Sequence, residues 1–212
     1  MGLFCSCPGE TALPDVTVQN CPFDMGQVQK IIFQRLSATP ISDSESLADW
    51  QALKAVTTDE KIVVSPLVFN PVFAAGDENV YGENSNETPG GKGVKLGEWD
   101  SVFTGDFSQQ VPAVVEALKK LECESNLGVF LVAQDGRMFC KKIETTSGTP
   151  PVTVRTYAPI PVSRFSLKSY TGGGLESPMR NEWTIKLPYN WYFGADLVQL
   201  NDGADDFSAL DI

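Results

Sequence analysis

The chain has 212 residues, of which 42% are hydrophobic and 20% charged, and it contains no histidine. This length and apolar content are enough for one domain with a buried core. The lack of histidine excludes Ser-His and Cys-His nucleophile systems and removes the commonest general base and most zinc sites. The net charge of −11 opposes binding of nucleic acid over the general surface, because phosphates are repelled. We therefore expect a non-enzymatic protein with no cofactor and no metal site.

The first 24 residues contain three cysteines and three prolines with little hydrophobic periodicity, which predicts an extended N-terminal arm over residues 1–24. The whole chain has five cysteines, an odd number that argues against a closed disulfide framework. The opening residues lack a basic segment followed by a long apolar stretch, so we expect no signal peptide and folding in a reducing cytoplasm. The pattern leaves open whether Cys5, Cys7 and Cys21 bind a metal or are modified.

The next elements are short. Residues 28–36 are β-branched and aromatic at their centre, which predicts a strand. Ser42 and Glu45 have capping-box spacing, and the apolar residues that follow predict a short helix near residues 45–55. Residues 61–69 predict a strand that Pro66 interrupts, as is typical of an edge or a bulge.

The stretch from 69 to 121 is the one around which we expect the rest to be organised. Residues 74–97 are rich in Gly, Asn and Glu and predict a long loop. A compact domain rarely keeps such a loop unless the loop binds or covers a neighbour. Because the segment contains no catalytic constellation, we interpret it as an arm that contacts another subunit.

One amphipathic helix is expected over residues 108–122, with Pro112 in its first turn, where a missing N–H costs least. Its apolar face comprises Val111, Val114, Val115, Leu118 and Leu121.

Most of the remaining chain predicts strands. The apolar runs 127–133 and 137–143 flank an Asp-Gly pair, which predicts a hairpin, and further strands are expected at 152–157, 162–170 and 182–187. Many short strands with one helix indicate a mainly β (α+β) fold, a β-sandwich or barrel over residues 25–195 with one flanking α-helix.

Residues 196–212 are acidic but keep several large apolar side chains, so we predict an acidic C-terminal segment that docks on a surface. We expect apolar residues of the loop and the termini to form the subunit interface. They are Phe73, Val80, Tyr81, Val94, Leu96, Trp99, Phe207 and Leu210.

The order of these parts resembles the major tail (tail-tube) proteins of tailed bacteriophages. The resemblance rests on residues 21–36, the 70–121 loop and helix, and the aromatic and acidic stretch 190–212 (NWYFGADLVQLNDGADDFSALDI). It implies a structural virion protein that closes into hexameric rings, which stack into a tube while a long loop reaches from one ring to the next. It also implies assembly in the host bacterial cytoplasm, contacts with other virion proteins and no membrane.

The net charge agrees with this resemblance, because an acidic lining lets viral DNA pass during ejection without sticking. Ring closure also removes exposed strand edges, and a heterologous interface generates rings. The cysteine-bearing arm leaves open another virion role, such as a head-decoration, ring or adaptor protein.

Two alternatives come from other classes. Met1 to Ser6 fits an N-myristoylation pattern with Cys5 as a palmitoyl site, which would make the protein a dually acylated, membrane-associated one. A small-molecule-binding β-barrel is the other, with a pocket lined by Trp183, Tyr189, Trp191 and Tyr192.

Overall fold

The structure, a computed structural model, describes residues 27–43, 45–83, 92–147, 151–172, 178–202 and 205–212. The predicted N-terminal arm, with Cys5, Cys7, Cys21 and the acylation pattern, lies outside the described residues. The strands are β1 (Val28–Arg35), β2 (Ile41–Ser42), β3 (Val63–Val64), β4 (Val68–Ala74), β5 (Glu78–Tyr81), β6 (Val94–Glu98), β7 (Ser101–Ser108), β8 (Leu127–Ala133), β9 (Met138–Ser147), β10 (Val152–Ala158), β11 (Ile160–Pro161), β12 (Arg164–Thr171), β13 (Arg180–Leu187), β14 (Ala195–Val198), β15 (Leu200–Asn201) and β16 (Asp206–Phe207). The helices are α1 (Leu47–Ala52) and α2 (Pro112–Lys120).

The predicted mainly β fold with a flanking helix is confirmed. Most strands form two antiparallel sheets. Sheet A has the order β2-β10-β9-β8-β1-β3, with β11 added to β8 and β14 added to β9. Sheet B has the order β12-β13-β7-β4. Two short hairpins, β5–β6 and β15–β16, complete the described strands.

The centre of sheet A is buried on both faces. In β1, Ile31 and Phe33 pack into the core shared with sheet B, whereas Ile32 packs into a second core on the opposite face. Every residue of β8 is buried. This double burial explains why β8 is an unbroken apolar run rather than an alternating one, since successive strand residues point to opposite faces.

The second core is covered by α1 and by the C-terminal segment. Trp50 of α1 packs edge-on against Phe130 of β8, with ring centroids 5.7 Å apart. The C-terminal segment contributes Val198, Leu200, Ala209 and Ile212. The segment therefore docks on its own chain, and the predicted boundary at 195/196 falls inside β14, which pairs with β9.

Helix α2 begins later than the predicted residue 108. Ser108 ends β7, Val111 is the exposed N-cap, and Pro112 occupies the first turn as predicted. The stretch before it, residues 101–107, was assigned neither to the predicted loop 74–97 nor to the predicted helix. It is β7, a central strand of sheet B, in which Phe103, Gly105 and Phe107 are buried at alternate positions.

The predicted helix near 45–55 is confirmed as α1, but its predicted cap is wrong. Ser42 lies in β2, opposite Thr156 of β10, so its backbone is committed to strand pairing. The capping box is formed four residues later by Ser46 and Asp49, each side chain bonding to the other's backbone N–H. The strand predicted at 61–69 is split by Ser65, Pro66 and Leu67 into β3 and β4.

Candidate assembly surface

The segment predicted as a long loop contains a β-ribbon. β5 pairs with β6, and the register of β4 and β7 continues into them: Ala74 lies opposite Val102, and Glu78 opposite Glu98. Between these pairs the backbone N–H of Trp99 donates to the carbonyl of Asp77 at 2.9 Å. Strands β4 and β7 therefore extend beyond sheet B as a two-stranded projection. We call its described residues, 75–83 and 92–100, the arm.

The junction at the base of the arm requires a glycine. A Cβ placed on Gly76 would collide with the carbonyl of Trp99. The two backbones approach so closely there that a side chain has no room. The predicted loop is thus wrong in its local structure: the segment contains paired strands, and Gly76 permits their close contact.

The arm stands away from the core. None of its described residues belongs to either hydrophobic core. Four of its large apolar side chains face solvent: Tyr81 is 50% exposed, Val94 38%, Leu96 53% and Trp99 63%. Tyr81 lies directly opposite Val94, and Leu96 is the unpaired residue where the register of the ribbon shifts between the Val80–Lys95 and Asn79–Gly97 pairs. We call these four residues the apolar arm surface.

Charge on the arm is mainly acidic. Lys95 forms ion pairs with Glu78, at 3.1 Å, and with Glu98. Hydrogen bonds to these carboxylates, that to Glu98 first, raise the pKa of Lys95 above its ordinary value. The pairs are exposed to solvent and contribute little to stability, but they hold the lysine across the ribbon and leave the apolar arm surface bordered by charge.

An aromatic stack joins the base of the arm to the core. The Phe73 ring lies on the Phe103 ring and also on that of Trp191, at 5.9 Å. Phe103 contacts Trp183 edge-on at 4.8 Å. Phe73 stays 38% exposed, so it links the buried rings of the core to the surface at the foot of the arm.

A second apolar surface adjoins this stack. Residues 188–194 form the turn between β13 and β14, and they expose Tyr189, Tyr192 and Phe193 by 53%, 52% and 62%. Trp191, which stacks on Phe73, also contacts Tyr192 edge-on. We call Tyr189, Tyr192 and Phe193 the aromatic turn. These residues were not among the predicted interface residues, although the consecutive aromatic residues Trp191, Tyr192 and Phe193 were the signal available.

The predicted interface residues therefore divide into two groups. Phe73, Tyr81, Val94, Leu96 and Trp99 are exposed on or beside the arm, and Val80 is half-buried within it. Phe207 and Leu210 instead lie half-buried against the second core of their own chain. The structure does not bring these two together with the arm residues.

The structure also shows where the proposed pocket residues and two of the cysteines lie. Trp183 is 1% exposed in the core, so it does not line an open pocket with the solvent-facing Tyr189 and Tyr192. Of the free cysteines among the described residues, Cys123 is exposed and Cys140 is buried. Within the described ranges no three His, Cys, Asp or Glu side chains are placed to hold a metal ion.

Comparisons with protein-family models, with curated proteins and with solved structures found no match. In the part of the chain that the structure describes, no helix has the length and apolar character needed to cross a membrane.

Proposed function

We propose that this chain is a self-assembling structural subunit of a tailed-bacteriophage virion, whose stacked hexameric rings form the tail tube through which DNA passes. The observation that carries the proposal is the arm. It is a β-ribbon continuous with sheet B, outside both cores, with four large apolar side chains in solvent. An exposed apolar surface of this kind is typical of a protein–protein contact.

The size of that surface favours repeated contacts over a single pair. Taking roughly 150–250 Å² for a large apolar side chain, the exposed fractions of the four together amount to about 300–500 Å². One partner of a stable interface buries about 800 Å², so the apolar arm surface provides about half. The aromatic turn is a second exposed surface near the foot of the arm, and a ring lets every copy use both surfaces at once.

The composition supports a conduit rather than a nucleic-acid-binding protein. With 27 acidic and 16 basic residues, a tube of such subunits would repel phosphates along its lining, and DNA would move without being held. Other virion proteins are the expected neighbours at the ends of the tube.

Negative-stain electron microscopy of the purified full chain tests the proposal, with sedimentation velocity across a hundredfold range of concentration. We expect rings or tubes, and species larger than a monomer whose fraction grows with concentration. A chain that stays monomeric at every concentration and shows no rings would overturn the proposal.

A further inference from the structure

A pocket of about 270 Å³ lies on the α1 side of sheet A, away from sheet B and the arm. Its lining comes from the end of β1, from β2, from α1 and from Glu60. The lining includes three acidic residues, Glu45, Asp49 and Glu60, and no lysine or arginine.

The pocket contains a buried polar group without a partner. Gln34 is 3% exposed, and its side chain lies on the same face of β1 as Ile32, the face that α1 covers. Its amide Nε2 donates to the backbone carbonyl of Glu60 at 2.9 Å. Its Oε1 is buried and has no hydrogen-bond donor within the described part of the chain. Leaving such a carbonyl unsatisfied costs about 1–3 kcal/mol. A ligand that donates a hydrogen bond to this oxygen would remove that cost.

Carboxylates line the same pocket as this oxygen. Hydrogen bonds from the side chain and the backbone N–H of Ser46 lower the pKa of Asp49. Asp49 therefore stays ionised near neutral pH. Trp50, 1% exposed, supplies an apolar wall.

We propose that this pocket binds an organic cation that carries N–H donors, an alkylammonium or a guanidinium group. Its N–H group donates to Gln34 Oε1, and its charge faces Glu45, Asp49 and Glu60. An ammonium has three donors and a guanidinium five, whereas the carboxylates do not converge as metal ligands do within the described residues. At about 30 Å³ per water, the pocket has space for a group the size of methylguanidinium or butylammonium.

This chemistry has two sources, a free small amine or the lysine or arginine side chain of a neighbouring chain. The inference does not depend on the tail-tube proposal, because the pocket is separate from the arm.

Isothermal titration calorimetry of the full chain with methylguanidinium chloride, at 150 mM NaCl, is the direct test. We expect one equivalent to bind. Tetramethylammonium has the same charge but no N–H donor, and we expect it to bind at least tenfold more weakly. Equal binding of the two cations, or no binding of methylguanidinium, would overturn the proposal, because neither result is expected if a ligand N–H donates to the Oε1 of Gln34.

Variants locate the site. Glu45→Gln with Glu60→Gln changes two side chains that are not buried, and we expect at least a tenfold loss of affinity with an unchanged circular dichroism spectrum. Glu116→Gln, on the exposed surface of α2, is the matched control and should bind as the wild type does. Binding that survives the double variant, or that Glu116→Gln weakens equally, would mean general attraction to an acidic protein and would overturn the site.

Sedimentation with saturating methylguanidinium separates the two sources, and either result supports the site once binding is established. Reduced self-association identifies a neighbouring chain's basic side chain as the natural occupant. Unchanged self-association identifies a free amine. A Leu96→Ser, Trp99→Ser variant should bind methylguanidinium normally, so failure of the assembly proposal and failure of this one give different results.

Discussion

The ring of Phe73 stacks on the ring of Phe103, with centroids 3.9 Å apart and planes 7° from parallel. Phe73 is near the end of β4, where the arm leaves sheet B, whereas Phe103 is fully buried in β7. This contact joins the foot of the arm to the core.

Replacing Phe73 with alanine should lower the free energy of unfolding by about 1–2 kcal/mol, less than a fully buried phenylalanine would cost, because 38% of the side chain is exposed. Urea unfolding followed by tryptophan fluorescence measures it. Phe69→Ala, in the same strand and 44% exposed, has no ring partner among the described aromatic pairs and should cost about 0.5 kcal/mol or less. Equal costs for the two variants would contradict the role given to the stack.

Removal of the apolar arm surface should abolish assembly without unfolding the subunit. Leu96→Ser with Trp99→Ser changes two exposed side chains outside both cores, so we expect a stable monomer in sedimentation velocity and no rings by microscopy.

The matched control for that variant is Ile143→Ser with Val154→Ser, on β9 and β10, because these side chains are also apolar, in strands and 42% and 46% exposed. We expect this pair to assemble as the wild type does. If both double variants lose assembly alike, exposed apolar area in general, rather than the arm, drives association.

One backbone donor of the outer strand of sheet B is bound by a carboxylate. The backbone N–H of Leu167, in edge strand β12, donates to Glu122 Oε1 at 2.5 Å, so this donor is not offered to another strand. Glu122→Ala should cost about 1–2 kcal/mol, because it leaves a partly buried N–H without its acceptor. Glu122→Gln keeps an acceptor and should cost less. Glu116→Ala, in the exposed pair with Lys120, should cost about 0.5 kcal/mol or less, and thermal unfolding ranks the three.

Stability should fall at alkaline pH. Burial raises the pKa of the Cys140 thiol, and burial with the hydrogen bond to Asp43 raises the pKa of the Tyr157 phenol. The folded state keeps these protons, while the unfolded chain releases them above the ordinary pKa values of 9.0 and 10.0. The free energy of unfolding is therefore unaffected by these groups below pH 9 and falls above it, by about 1.4 kcal/mol per pH unit for each proton fully released.

Urea unfolding in the presence of reductant, from pH 7 to 10.5, measures this fall. Cys140→Ala removes the thiol contribution, so its decline should start nearer pH 10 than pH 9, whatever its stability at neutral pH. Cys123→Ala removes an exposed thiol and is the matched control. A Cys140→Ala profile parallel to that of the wild type between pH 9 and 10 would show that burial of this thiol has no part in the effect.

The fold class could be predicted because most strands carry a local signal. The Asp-Gly turn between β8 and β9 was predicted as a hairpin turn, and Gly136 there has a φ of +83°, which glycine adopts easily. The apolar run of β8 was likewise clear. The burial of β8 on both faces could not be predicted, because it depends on α1 and the C-terminal segment, which come from distant parts of the chain.

The arm and β7 were missed for a different reason. Gly97 and Gly105 lie within paired strands, although glycine lowers strand propensity and indicates a loop. What stabilises these strands is pairing between residues on either side of a long intervening segment, and propensity does not contain that information. The interpretation of residues 74–97 as an arm that contacts another subunit rested on composition and not on local structure, and it stays a prediction.

Because β4 and β7 pass without a change of register into β5 and β6, the arm is mechanically part of sheet B. Tension applied along its axis loads the interstrand hydrogen bonds in shear, so that several must rupture together. Force applied to the arm therefore reaches the middle of the subunit through the continuous backbone of these strands.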